Sequence, residues 1–179
     1  MLVLGTCSLA LASLGGAAAS TRSGSPPLPP LRFRPAPGWI VIKPGPSEPS
    51  LTAGTVVAVT SGDAAALRPF APFVGFKPLR PQGIIVWATN LGRVATSPFP
   101  PFPRARWPLR LSTFRLDRGW EGQPAPNIQQ RLRGASVRGW NLDVRVYFAT
   151  QQPSKKLIAQ AQAELGRLLL PSTRALQSR

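Results

Sequence analysis

An α+β fold is what this chain predicts: a small antiparallel β-sheet with a single C-terminal α-helix packed on one face, joined by Pro-rich loops. Three observations carry it. Short β-branched and apolar runs recur along the chain with Gly, Pro, Asn or Asp between them. From Leu142 to Phe148 apolar residues alternate with Asp143, Arg145 and Tyr147, the two-residue period of a strand. Only one stretch, after Pro153-Ser154, has the spacing of an amphipathic helix. Strands that run in series and then give way to one helix argue for antiparallel pairing, not for a parallel βαβ sheet.

Each element has a local reason. Trp39-Ile40-Val41-Ile42 follows Gly38 and stops at Lys43-Pro44-Gly45. Thr55 to Thr60 is β-branched and ends at Ser61-Gly62-Asp63, a turn signal. Gly83 to Thr89 is apolar on both faces, which predicts a central strand. Leu109-Arg110-Leu111 alternates, then the phase shifts to Phe114 and Leu116, as a β-bulge near Ser112-Thr113 would produce. Ile128–Val137 and Leu142–Phe148 read as the arms of a hairpin turning at Arg138-Gly139-Trp140-Asn141, with Gly139 and Asn141 as the residues that tolerate positive φ. The second arm should bury one face and wet the other. Ser154 can cap a helix whose stripe is Leu157, Ala161, Leu165 and Leu168, and Pro171 ends it.

The N-terminal part reads differently. Met1 to Ala19 is an uncharged apolar and small-residue run closing on Ala17-Ala18-Ala19 before Ser20, the pattern of a secretory signal peptide cut near Ala19-Ser20. Residues 20–37 are a Pro-rich lead-in, expected to be disordered and polyproline-like. It contains P-x-x-P-x-R from Pro27 to Arg32, which a simple spacer explains as well as a peptide ligand does. A single domain over 38–171 and a disordered tail at 172–179 complete the organisation.

Composition narrows function by exclusion. There is no His, and the one Cys, Cys7, lies in the leader. The domain should therefore hold no disulfide and no zinc site, and a histidine-dependent nucleophile is ruled out. No cofactor or metal is expected. The charge is the strongest positive signal: 22 Lys+Arg against 6 Asp+Glu leave +16. Such a field attracts polyanions, although scattered basic residues also serve simply to solvate a surface.

Three groupings are candidate sites. Residues 67–82 and 97–108 interleave prolines and aromatic rings with Arg68, Lys77, Arg80, Arg104 and Arg106, a basic-aromatic pattern that could grip an anionic chain. The plainer reading staples two loops to the core. The stretch 117–127 brings Asp117, Trp120 and Glu121 together, two carboxylates that could share acid and base roles beside a ring able to stack on a sugar. Ion pairs with nearby arginines explain them too. Asp143 and Tyr147 beside Arg145 form a third, weaker grouping.

Three runs also carry a resemblance. Pro81-Gln82-Gly83-Ile84-Ile85-Val86-Trp87-Ala88, then Arg138 to Phe148 (RGWNLDVRVYF), then Pro153-Ser154 and a helix, resemble small exported proteins of unknown function from high-GC Gram-positive-type bacteria, over residues 83–170. The resemblance implies a fold shape and an exported location, and no site residues. The expectation is an exported, non-enzymatic protein, secreted or held at the envelope, whose basic surface meets an anionic envelope polymer or lipid surface. The alternatives are a cytoplasmic nucleic-acid-binding protein and a carboxylate-dependent glycan hydrolase.

Overall fold

Alternation at Trp140–Phe148 and the apolar run at Ile84–Arg93 make the two strands around which everything else is laid. The computed structural model describes residues 28, 31–42, 54–60, 80–96, 100–117, 119–120, 123–124 and 127–171. In chain order the elements are β1 (Arg32–Phe33), β2 (Trp39–Ile42), β3 (Thr55–Thr60), β4 (Ile84–Arg93), a 3-10 turn (Leu111–Thr113), β5 (Arg115–Asp117), β6 (Gly119–Trp120), β7 (Gln123–Pro124), β8 (Gln129–Val137), β9 (Trp140–Phe148), α1 (Lys155–Leu165) and β10 (Leu168–Leu169). Six strands form one antiparallel sheet in the order β2-β3-β4-β9-β8-β5, while β1 pairs with β10 and β6 with β7. The α+β expectation holds: an antiparallel sheet with one helix near the C-terminus.

The main core lies on the helix side of the sheet. Val56 and Ala58 of β3, Ile84, Val86 and Ala88 of β4, and Trp140 to Phe148 of β9 at alternate positions meet Leu157, Ala161 and Leu165 of α1. Ser154 caps that helix, its hydroxyl accepting from the Leu157 N–H at 3.3 Å. The Gln162 side chain clamps the chain before β5 to the helix, accepting from the Leu111 N–H at 2.7 Å and donating to the Leu109 carbonyl at 3.1 Å.

Several expectations need correction. The face of β9 away from the helix is only partly wet: Asn141 and Tyr147 are buried there, while the side chains of Asp143 and Arg145 keep 23% and 29% of their surface exposed. The β8–β9 turn is the two-residue Arg138-Gly139, with φ of 49° and 81°, a pair of positive values that gives the twist a tight hairpin needs. Asn141 instead lies within β9, buried. The phase shift before β5 is the 3-10 turn, not a bulge; it buries Leu109, Leu111 and Phe114, and leaves Leu116 47% exposed. α1 stops at Leu165, and Leu168 keeps its place in the core from β10. The lead-in is not wholly disordered either. Leu31 and Phe33 are buried core residues and β1 pairs with β10, so the fold reaches back past residue 38. The proposed leader at 1–19 and the tail at 172–179 lie outside the described residues.

Candidate anion-binding site

Alternation in β8 sets up the site. Arg131 and Arg133 are two residues apart and so share the helix-side face, where Arg131 stands opposite Val146 and Arg133 opposite Val144 of β9. The β5 strand covers only part of the outer edge of β8, pairing Arg115 with Leu132 and Leu116 with Arg131. Further along, the chain at Pro103–Ala105 is laced onto the same edge. The Ser136 N–H donates to the Pro103 carbonyl and the Ala105 N–H to the Ser136 carbonyl, each at 2.9 Å, which sets Arg104 beside Ser136. Close approach there depends on Gly134, because a Cβ would meet the Phe102 ring at 2.7 Å. Arg115, level with Leu132, and Arg104, level with Ser136, therefore lie on the face opposite Arg131 and Arg133, with exposed Arg110 just before the 3-10 turn and exposed Arg106 two residues after Arg104.

The way Arg131 is held matters most. Its guanidinium carbon sits 5.9 Å from the centre of the Phe148 ring, and its Nε–H donates to the Gln129 side-chain oxygen at 2.9 Å. A ring and a neutral amide fix the group, and neither cancels its charge. Arg93 is treated similarly, 4.8 Å from the centre of the Trp140 ring. Among the described residues, Arg104, Arg106, Arg110, Arg115, Arg131 and Arg133 make no ion pair; the described pairs are Arg145 with Asp143 at 2.9 Å and Arg167 with Glu164 at 3.7 Å. In the Arg145 pair, burial disfavours the cation, but Asp143, with Tyr147 adding to it, outweighs burial and raises the guanidinium pKa above its ordinary value. Asp143 and Arg145 are thus an ion pair within one strand.

The other residues singled out from sequence fall as follows. Arg68 and Lys77 lie outside the described residues. Arg80 is exposed in the turn before β4, where its carbonyl accepts from the Gly83 N–H. That turn leads to Ile84, which β9 places level with Gln129, whereas Arg104 stands at Ser136. Roughly 20 Å of strand separates them, so Arg80 does not join Arg104 and Arg106. Asp117 belongs to β5 and pairs in register with Gln130; Trp120 belongs to β6, which pairs with β7; Glu121 is outside the described residues. Sequence reasoning missed Arg110, Arg115, Arg131 and Arg133. Their signal was present as Arg131-Leu132-Arg133, two cations that must share a face if the segment is a strand.

An open cavity of about 640 Å³ lies at the opposite end of the sheet, between the end of β3, the turn before β4 and the first turn of α1. Thr60, Gln82, Thr150, Gln152, Lys156 and Gln160 give it hydroxyl, amide and ammonium groups, with no carboxylate or imidazole to move a proton. Among the described residues no three His, Cys, Asp or Glu gather as a metal site, and no helix is long and apolar enough to cross a membrane. Function has to be argued from the arginines themselves, because no protein-family model, no curated protein and no solved structure matches this chain.

Proposed function

We propose that this is an exported, non-enzymatic protein that associates with an anionic component of the cell envelope through its basic surface. The observation that carries the reading is the set of arginines along β5 and β8 that make no ion pair among the described residues, one of them fixed by Phe148 and Gln129. A surface meant only to stay soluble has no need to immobilise a guanidinium, since rotamer freedom is lost and no charge is neutralised. The location rests on the apolar run closing on Ala17-Ala18-Ala19. The non-enzymatic reading rests on the lack of any His and on a leader position for the one Cys.

The test has two arms. Full-length protein is expressed in a bacterial host, and the mass of the recovered chain is measured in each cell fraction. A species starting near Ser20 outside the cytoplasm is expected. The same protein is then passed over a phosphate-bearing matrix at low ionic strength. Retention that falls steeply with added salt supports the reading. An unprocessed cytoplasmic chain, or no retention at low salt, rejects it.

A further inference from the structure

We infer that Arg131 and Arg133 of β8 together form a site for one doubly charged phosphate group, a phosphomonoester or free phosphate, in preference to a phosphodiester. This rests on the proposed envelope association and names the chemical group that it recognises. The register puts both side chains on the helix-side face, with their Cα atoms about 7 Å apart. Side chains of this length can converge on one anion from that spacing. Asp143, level with Gly134, lies on the other face and is taken up by Arg145. No described carboxylate pairs with Arg131 or Arg133, so two like charges stand side by side at a cost that a bound dianion removes.

The hydrogen bonds show which part of Arg131 is left for a ligand. A relay of two amides aims it. The Gln151 side chain donates to the Ile128 carbonyl at 2.7 Å, the Gln129 side chain donates to the Gln151 carbonyl at 2.6 Å, and the Gln129 oxygen accepts the Arg131 Nε–H at 2.9 Å. Gln129 is only 6% exposed, so a buried polar side chain is spent on holding this guanidinium. With Nε–H engaged and the Phe148 ring centre 5.9 Å away, the two terminal amino groups are the part without a described hydrogen-bond partner. They make a planar fork that matches two phosphate oxygens at once, and fixing it beforehand lowers the ordering cost of binding. The Arg133 side chain, with no described hydrogen bond or ion pair, supplies a second fork. A phosphomonoester offers three free oxygens and close to two charges at neutral pH, enough for both forks. A phosphodiester offers two oxygens and one charge, enough for one.

The test is an NMR titration of the full chain with glycerol 3-phosphate as a soluble monoester and dimethyl phosphate as a diester, at about pH 7.5, where the monoester is a dianion. The Arg131 Nε–H resonance should move, and glycerol 3-phosphate should bind about tenfold more tightly than dimethyl phosphate. Arg131→Lys, which keeps the charge and loses the fork, should weaken binding of the monoester about fivefold or more. Arg133→Gln removes a side chain with no described partner, so it should weaken binding about tenfold with an unchanged melting temperature. Arg32→Gln/Arg34→Gln, removing two exposed arginines elsewhere, should change affinity less than about twofold. Phosphatidate vesicles, against phosphatidylglycerol vesicles of matched surface charge, carry the same comparison into lipid. Tighter binding to phosphatidate than to glycerol 3-phosphate supports the site with a headgroup as its source, and weaker binding supports it with a soluble phosphate. Losses from the Arg32/Arg34 pair equal to those from Arg131→Lys or Arg133→Gln overturn the site and leave the envelope reading intact. Dimethyl phosphate binding as tightly as the monoester overturns the choice of a dianion. No binding to any of these probes by a protein still retained on the phosphate-bearing matrix overturns the site alone, and loss of that retention overturns both.

Discussion

Glu164 is the residue on which acidity should act. It lies on α1 but is only 1% exposed, with one carboxylate oxygen accepting from the Ala36 N–H at 3.3 Å and the other buried without a hydrogen-bond partner. Burial pushes its pKa up, against the pull of the Ala36 N–H and of Arg167. The folded state then holds this proton more tightly than the unfolded chain does. The stability linked to it is fully present below the ordinary glutamate range and is lost as pH rises through the raised folded value. At neutral pH the ionised carboxylate is therefore a cost, and Glu164→Gln, which keeps the shape and drops the charge, should raise the melting temperature. The difference from the unaltered protein should narrow as pH falls toward about 4. Circular dichroism melts at both pH values check this, and a lower melting temperature for Glu164→Gln at pH 7 refutes it. Among the described residues the charged group set against the carboxylate is Arg167, at 3.7 Å; Arg34 runs past it, its N–H donating to the Arg167 carbonyl at 3.2 Å.

At the scale of the element, the β8–β9 hairpin has a mismatch between sequence and conformation. Arg138 takes φ of 49° in a turn whose first position favours Asn or Gly. An L-residue with a long side chain held there costs about 1 kcal/mol. Arg138→Asn should recover most of that and raise the melting temperature by about 2–4 °C for a chain of this size. A melting temperature unchanged or lowered would show that the Arg138 side chain contributes something the turn needs. Other elements show what sequence can reveal. Strand spans at Trp39–Ile42 and Thr55–Thr60 were legible because β-branched runs ended at turn residues, and Ser154 was legible as a cap because its chemistry is local. The turn residue was not, since Arg138 disobeys the preference that locates such turns. The burial of Asn141 and Tyr147 on the second face of β9 was not legible either. Alternation of Asp143, Arg145 and Tyr147 looks like a wet face, and only the tertiary fold reveals that Arg145 answers Asp143 within the strand. The faces taken by Arg115 and Arg131 needed the register of β5 against β8, and a sequence does not state register.

For the whole molecule, charge is the dominant unresolved force. With +16 overall and few described carboxylates to answer it, the folded chain repels itself, and compaction brings the cations closer together. Added sodium chloride should therefore stabilise the protein. Raising it from about 0.02 to about 0.3 M shortens the screening length from well above 10 Å to below it, and the melting temperature should climb through that range. A flat response would mean that the arginines are already compensated inside the molecule. An anion held by Arg131 and Arg133 should give a larger rise at far lower concentration, because it binds the folded state only.

The pairing of β1 with β10 has a mechanical consequence. Arg32 lies opposite Leu169 and Phe33 opposite Leu168 in antiparallel register, so the chain enters and leaves this ladder at the same end. Tension applied between the two flanking segments then peels the strands apart one pair at a time, where a parallel arrangement would load all the bonds together. The clasp is the mechanical fuse of the fold: it opens first and uncovers Leu31, Phe33 and Leu168, while the six-stranded sheet behind it stays shut.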